Sequence, residues 1–135
     1  RDPGPLVQRR RLAVLPEQPR VLRRLLETCP EIDSLFASND QMALGAIQTA
    51  HRLGRRIPDD LAVVGFDNIP ESAYFWPALT TVSQPLVELG HAAVQELSQM
   101  IDADQRDSLA DTSKSILLKP ELIVRESTPR AATQP

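Results

Sequence analysis

Leu61-Ala-Val-Val-Gly-Phe-Asp67-Asn68 is a nearly unbroken apolar run that ends abruptly in a carboxylate and an amide. A continuous apolar run bounded by turn residues predicts a strand that is buried on both faces, as in a parallel sheet. Ligands of open α/β sheets bind just beyond the carboxyl ends of such strands. Asp67 and Asn68 are therefore candidates for contacting a polar small molecule.

The sequence before this run alternates between strand patterns and helical patterns. Strands are predicted over residues 11–15, 32–37 and 61–66, and helices over residues 19–28 and 40–53. Gly54 is a natural residue to end the second helix, because glycine readily adopts the left-handed conformation found there. The order β-α-β-α-β predicts an α/β fold with a parallel sheet and right-handed crossovers.

The pattern changes after the run. Residues 69–81 show no sustained period, and Thr80–Ser83 is a short extended segment. A helix is predicted from about Leu86 to Ala103, because its apolar residues share one face. Residues 115–119 and 122–125 are strand-like and are separated by Pro120.

Composition and motifs exclude several classes of function. Apolar residues make up 41% of the chain, but no run is long enough to cross a bilayer. The glycines are scattered rather than grouped in a phosphate-binding loop. Cys29, Ser38 and the two histidines show no spacing typical of a catalytic triad or a metal site. We therefore expect a protein that is not an enzyme, holds no metal or cofactor and does not associate with membranes.

Five segments stand in the order and spacing of the lactose/galactose repressor (LacI/GalR) family, which the chain resembles over roughly residues 12–128. The segments are Ser-Asn-Asp-Gln-Met-Ala-Leu-Gly-Ala (38–46), Ile-Pro-Asp-Asp-Leu-Ala-Val-Val-Gly-Phe-Asp-Asn (57–68), Pro-Ala-Leu-Thr-Thr-Val-Ser-Gln-Pro (77–85), Glu-Leu-Gly (88–90) and Glu-Leu-Ile-Val-Arg-Glu-Ser (121–127). The resemblance implies a parallel-sheet, three-layer sandwich of the type I periplasmic-binding-protein-like fold. The chain would be the C-terminal part of that effector domain.

The resemblance also implies a domain organisation. Residues 12–83 and 115–126 would build most of the C-terminal subdomain, and the helix over about 86–103 would cross to an N-terminal subdomain. We expect the domain to be incomplete in residues 1–135, with the DNA-binding headpiece of the family absent. The N-terminal arginines do not replace that headpiece, because no aromatic residue is interleaved with them and no recognition-helix pattern is present.

By resemblance, the chain is the effector-binding and dimerisation part of a bacterial, cytoplasmic transcriptional regulator. A small molecule, expected to be a sugar or sugar derivative, would control operator binding, and operator DNA would be contacted only through the headpiece. The protein would be a homodimer. The alternative function is that of a periplasmic sugar-binding protein for transport or chemotaxis, which shares this architecture.

Four residues match family positions that line the effector cleft: Asn39, Asp67, Gln84 and Leu86. A carboxylate and amides suit a polyol, because hydroxyls both donate and accept hydrogen bonds. Each polar residue also has a purely structural interpretation. Asn39 could be only a helix N-cap, and Asp67 could be only a turn former. Gln84 could be a residue that forms hydrogen bonds at a hinge. Asp40 is interpreted as an acid at the start of the helix rather than as a ligand contact.

A second surface is predicted from the segments through which family members pair. It contains Leu44, Ile47 and His51 on the helix over 40–53, and the aromatic residues Tyr74, Phe75 and Trp76. Aromatic residues are enriched at interfaces, and three consecutive aromatics cannot all face one core. Ordinary core packing is the alternative for Leu44 and Ile47.

Overall fold

Four parallel strands form the body of the sheet in the computed structural model, which describes residues 12–15, 19–104 and 115–129. The strands are β1 (Leu12–Leu15), β2 (Ser34–Ala37), β3 (Ala62–Phe66), β4 (Thr80–Ser83) and β5 (Glu121–Ile123). The helices are α1 (Pro19–Thr28), α2 (Asp40–Arg52) and α3 (Leu86–Asp104), with a 3-10 helix at Pro70–Tyr74. The strand order is β1-β2-β3-β4-β5. The predicted α/β fold with a parallel sheet is therefore confirmed.

The chain divides into two units. Of the described residues, one unit contains those up to Ser83 together with those from Leu122 onward, and the other contains those between Gln84 and Glu121. In the first unit, β1, β2 and β3 are neighbours both in sequence and in the sheet. Right-handed crossovers between such neighbours place α1 and α2 on the same face of the sheet. The described residues of this unit therefore supply two layers, a sheet and a pair of helices.

The core of the first unit lies between these helices and the sheet. Its largest fully buried apolar side chains are Leu22, Leu35, Ile47, Leu61, Val63 and Leu79. Burying each such side chain contributes about 1.5–3 kcal/mol relative to leaving it in water. Ala43, Ala46 and Ala50 are also buried, and they lie on the face of α2 that packs on the sheet. Small side chains there let the helix approach the sheet closely.

Local signals in the sequence correctly predicted most boundaries. α1 is confirmed over residues 19–28, and α2 ends at Arg52, followed by its C-cap Leu53 and by Gly54 with a φ of 72°. β2 and β3 begin slightly later than predicted. Arg11, at the start of the predicted first strand, lies outside the described residues.

The predicted strand over residues 115–119 is wrong. Residues 115–120 have no strand conformation and are mostly exposed. A strand needs a neighbour that accepts its backbone hydrogen bonds, and Pro120 lacks an N–H to donate. The structure groups residues 115–121 with α3 in the second unit.

The segment after β5 forms hydrogen bonds with the amino-terminal ends of β3 and β4. Ser127 is fully buried, and its hydroxyl donates to the carbonyl of Val63 at 2.6 Å and accepts from the N–H of Thr80 at 2.8 Å. The N–H of Val63 in turn donates to the carbonyl of Ser127 at 2.9 Å. Ser127 therefore provides hydrogen-bond partners for the N–H and the carbonyl of Val63 in β3 and for the N–H of Thr80 in β4.

The second unit is dominated by α3, whose apolar side chains are largely exposed. Val87, Val94 and Met100 are 60–70% exposed, and Leu86, Leu89, Leu97 and Ile101 are between 48% and 60% exposed. The predicted amphipathic helix is thus present over residues 86–104. Among the described residues, no helix is both long and apolar enough to cross a membrane.

Candidate ligand-binding site

The predicted ligand residues of the first unit follow two neighbouring strands. β2 and β3 are parallel and adjacent, with Phe36 beside Val64. Their carboxyl ends therefore lie at the same edge of the sheet. Asn39 comes two residues after the end of β2, and Asp67 directly follows β3. The structure thus places both residues at the carboxyl ends of neighbouring parallel strands.

Asn39 is the N-cap of α2. Its backbone is extended, and its Oδ1 accepts a hydrogen bond from the N–H of Met42 at 2.8 Å. This bond satisfies one of the N–H groups that the first turn of a helix leaves unpaired. It also orients the side-chain amide, because the oxygen must face the helix. The Nδ2 group donates to no acceptor within the described part of the chain, so it remains able to donate to a ligand.

The turn after β3 has an unusual backbone. Asp67 has a φ of 104° and Asn68 a φ of 53°, so two consecutive residues other than glycine have positive φ. Aspartate and asparagine tolerate this region better than most residues, yet each such residue costs on the order of 1–3 kcal/mol. Such a conformation persists only where the surrounding structure holds it.

Hydrogen bonds from three successive backbone N–H groups hold this turn. The N–H of Asp67 donates to the carbonyl of Val82 at 2.9 Å. The N–H of Asn68 donates to the hydroxyl of Thr81 at 3.3 Å, and the N–H of Ile69 donates to Oδ2 of Asp40 at 2.9 Å. Each acceptor belongs to β4 or to the first turn of α2, so the turn is tied to both neighbouring elements.

Asp40 is a fully buried carboxylate in the first turn of α2. Besides accepting from Ile69, it accepts a hydrogen bond at Oδ1 from the hydroxyl of Thr81, at 2.6 Å. Gly65 makes room for it, because a Cβ at this position would overlap Oδ1 of Asp40 and approach Leu79 Cδ2 to 2.9 Å. The prediction of a helix-start acid is correct, but Asp40 also joins α2, β3 and β4.

Arg125 holds the turn through a side chain. Its guanidinium donates to Oδ1 of Asn68 at 2.9 Å, to the carbonyl of Leu79 at 2.7 Å and to the hydroxyl of Ser72 at 3.1 Å. Nδ2 of Asn68 donates to the hydroxyl of Ser83 at 3.4 Å. The side chain of Asn68 is therefore engaged within the protein. Asp67 matches a family position that lines the effector cleft, and its ligand contact stays a prediction from the resemblance.

Gln84 and Leu86 begin the second unit. Gln84 is half-buried and directly follows β4, and Leu86 is the first residue of α3 and is 60% exposed. Their ligand contacts stay predictions from the resemblance.

The predicted pairing surface divides into exposed and buried residues. Tyr74 and Trp76 are 88% and 82% exposed, whereas Phe75 between them packs against the core. His51 is exposed and Leu44 is half-buried. Ile47 is only 2% exposed and belongs to the core. This residue therefore packs in the core rather than on the pairing surface. Its side chain points to the sheet because it shares the apolar face of α2.

Residues 4–128 match the family of periplasmic binding protein-like domains. The chain belongs to this family. Its sequence is 44% identical over 112 residues to the ribose operon repressor of Halalkalibacterium halodurans, covering 83% of this chain and 32% of that protein. This periplasmic binding protein-like domain thus spans about a third of the length of that curated relative.

Solved structures show the same relationship. The domain is 35% identical to a LacI family transcriptional regulator from Arthrobacter sp. FB24 in complex with lactose, with a TM-score of 0.68, covering 82% of this chain and 40% of that one. It also resembles the lac repressor dimer bound to operator and the anti-inducer ONPF, with 29% identity and a TM-score of 0.70, covering 81% of this chain and 36% of that one. The LacI/GalR resemblance is confirmed, and these relatives are repressors and regulators rather than enzymes.

Sequence reasoning missed the residues that hold the turn, namely Thr81 and Arg125. One signal was present, because an isolated glycine in a strand pattern often marks a close approach by another group. Gly65 interrupts a run of valines and phenylalanine, and the group that approaches it is Asp40. The role of Arg125 carried no such signal, since 57 positions separate it from Asn68 in the chain.

Among the described residues, no cluster of three or more histidine, cysteine, aspartate or glutamate side chains could hold a metal ion.

The close approach at Gly65 can be tested by substitution to alanine. We expect Gly65→Ala to destabilise the protein by about 1–3 kcal/mol, because overpacking at this point must displace either Asp40 or Leu79. The control is Gly45→Ala on α2, where nothing lies within 4 Å of an added Cβ. This change should stabilise the helix by about 0.5–1 kcal/mol. Guanidinium denaturation measures both, and equal effects at the two positions would contradict the prediction.

Proposed function

We propose that this domain is the effector-binding and dimerisation part of a bacterial, cytoplasmic transcriptional regulator. The observation that carries the proposal is the placement of Asp67 and Asn39 at one edge of a parallel sheet, with Asp67 on a turn held by hydrogen bonds from three backbone N–H groups. A turn held in advance loses little conformational entropy when a ligand binds.

The chemistry of these side chains suits a polyol. Asp67 carries a carboxylate, which when ionised accepts hydrogen bonds from hydroxyl groups at both oxygens. Asn39 can donate from Nδ2, because its Oδ1 is engaged with the helix. A hydroxyl that donates to Asp67 can thus be joined by one that accepts from Asn39. The effector class we propose is therefore a sugar or sugar derivative, which agrees with the lactose bound to the Arthrobacter relative.

Gln84 and Leu86 complete the proposed set of ligand contacts. Gln84 would add a second amide, and Leu86 would pack its apolar side chain against the ligand. In the intact protein, an effector that binds one arrangement of the domains more tightly would shift the population towards it. Operator DNA would be contacted through a separate headpiece, so that effector binding controls DNA binding from a distance.

A thermal-shift screen tests the ligand class. The full-length protein is heated with ribose, lactose and a panel of other sugars and sugar phosphates. A ligand that binds only the native state raises the melting temperature, by an amount equivalent to about 2.7 kcal/mol at one hundred times its Kd. A dose-dependent rise with one sugar supports the proposal. A rise only with nucleosides or amino acids would overturn the carbohydrate assignment.

The role of Asp67 is tested by Asp67→Asn in the full-length protein. Loss of charge-assisted hydrogen bonds should weaken binding of the sugar found in the screen by about 1.5–3 kcal/mol, or roughly ten- to a hundred-fold. The control is Asp59→Asn, which changes an exposed carboxylate in the turn before β3 and should leave affinity unchanged. Titration calorimetry measures both variants. An unchanged affinity for Asp67→Asn would remove Asp67 from the site.

We also propose that Tyr74 and Trp76 contribute to a homodimer interface, together with Leu44, His51 and the exposed part of Phe75. Large exposed aromatic side chains are costly in water and common at the centres of interfaces. Trp76 makes a suitable test because it is 82% exposed, so its removal should not disturb the core.

Trp76→Ala should weaken dimerisation of the full-length protein by about 2 kcal/mol or more, as is typical of an interface hot spot. Val21→Ala on α1 is the control, since it removes an apolar side chain that is 41% exposed outside the proposed surface. Sedimentation velocity over a range of concentrations measures both variants. The same dimer dissociation constant for the two variants would contradict the interface proposal.

A further inference from the structure

We infer that Asp40 is a positioning residue for the ligand: together with Thr81, it sets the separation between Asn39 and Asp67. This inference rests on the proposed function, because it concerns the two side chains assigned there to ligand contact. Asp40 itself has no exposed surface and does not touch the ligand in this proposal.

The position of Asp40 in the chain links it to the first contact. It directly follows Asn39, so anchoring the Asp40 carboxylate restrains the N-terminus of α2, where Asn39 lies. The carboxylate is anchored on the opposite side by Thr81 of β4, at 2.6 Å. The start of α2 is therefore fixed relative to the sheet by a buried hydrogen bond to a charged group, which is among the stronger kinds.

The same carboxylate reaches the second contact. Its Oδ2 accepts from the N–H of Ile69, two residues after Asp67. Thr81 acts on the turn as well, because its hydroxyl donates to Asp40 and accepts from the N–H of Asn68. Donating to Asp40 turns the lone pairs of the hydroxyl away from the carboxylate, where they can receive that N–H. Asp40 thus orients the acceptor that holds the turn.

The turn depends on these contacts. Its two consecutive positive φ angles are intrinsically unfavourable. Arg125 restrains the side chain of Asn68, whereas Asp40 and Thr81 restrain the backbone amides of Asn68 and Ile69. Loss of the Thr81 hydroxyl would leave the amide of Asn68 without its acceptor and the carboxylate without one of its donors. The turn could then relax towards ordinary backbone angles, and Asp67 would move from its place.

A purely structural role is the competing explanation, and Ser127 provides a matched control. Its hydroxyl is also fully buried and also joins two elements, the carbonyl of Val63 in β3 and the N–H of Thr80 in β4. Val63 lies four residues before Asp67, which is about 13 Å along a strand. Removing this hydroxyl should destabilise the fold without releasing the turn.

The first test needs no ligand. Thr81→Val, Thr81→Ser and Ser127→Ala are made in the full-length protein, and amide hydrogen exchange is measured well below the melting temperature. We expect the amides of residues 67–69 to exchange about ten-fold faster in Thr81→Val, because the turn opens locally. Thr81→Ser keeps the hydroxyl and should restore wild-type exchange, and Ser127→Ala should leave these amides unchanged. Equal exchange in Thr81→Val and wild type would overturn the inference.

The second test measures affinity for the sugar identified by thermal shift. Thr81→Val should weaken binding about ten-fold, while Thr81→Ser and Ser127→Ala bind as wild type. If Asp67→Asn loses affinity but Thr81→Val does not, the positioning role is wrong and the proposed function stands. If Asp67→Asn binds as wild type, the proposed ligand contact fails. In that case hydrogen exchange still decides whether Asp40 and Thr81 hold the turn.

Discussion

A carboxylate with no exposed surface needs a hydrogen-bond donor at each oxygen, and the geometry around Asp40 meets this need. Taking such a charge out of water costs several kcal/mol unless partners replace the lost hydration. Thr81 and the N–H of Ile69 are those partners, and they come from different elements. Satisfying one buried charge therefore determines how α2, β4 and the turn after β3 are placed. The absence of a side chain at Gly65 follows from the same requirement.

The candidate site follows from this arrangement and from the direction of the strands. Parallel pairing brings the ends of β2 and β3 to one edge, which puts Asn39 and Asp67 at the same edge of the sheet. In the proposed site, Asn39 would combine a structural role with a functional one. Its oxygen caps the helix, and its amide nitrogen remains able to bind, so the N-cap interpretation supports the ligand interpretation by fixing the orientation of the group.

The two units of the chain differ in how well they bury apolar surface. The sheet unit has a continuous core, whereas α3 leaves most of its apolar side chains exposed. Exposed apolar surface of this extent is typical of a binding surface. The sequence correctly indicated an amphipathic helix, because periodicity depends only on the spacing of residues. Periodicity does not say what lies opposite the apolar face.

The sequence by itself determined the element order, the parallel sheet and the placement of Asn39 and Asp67 at strand ends. These features depend on neighbours in the chain: apolar runs, a helix cap and turn residues. Only the tertiary structure decided that Ile47 lies in the core, that residues 115–119 form no strand, and that Thr81 and Arg125 hold the turn. Each of these depends on contacts between residues far apart in the chain. The hydrogen bond from Thr81 to Asp40 joins residues 41 positions apart, and no periodicity in the sequence indicates such a contact.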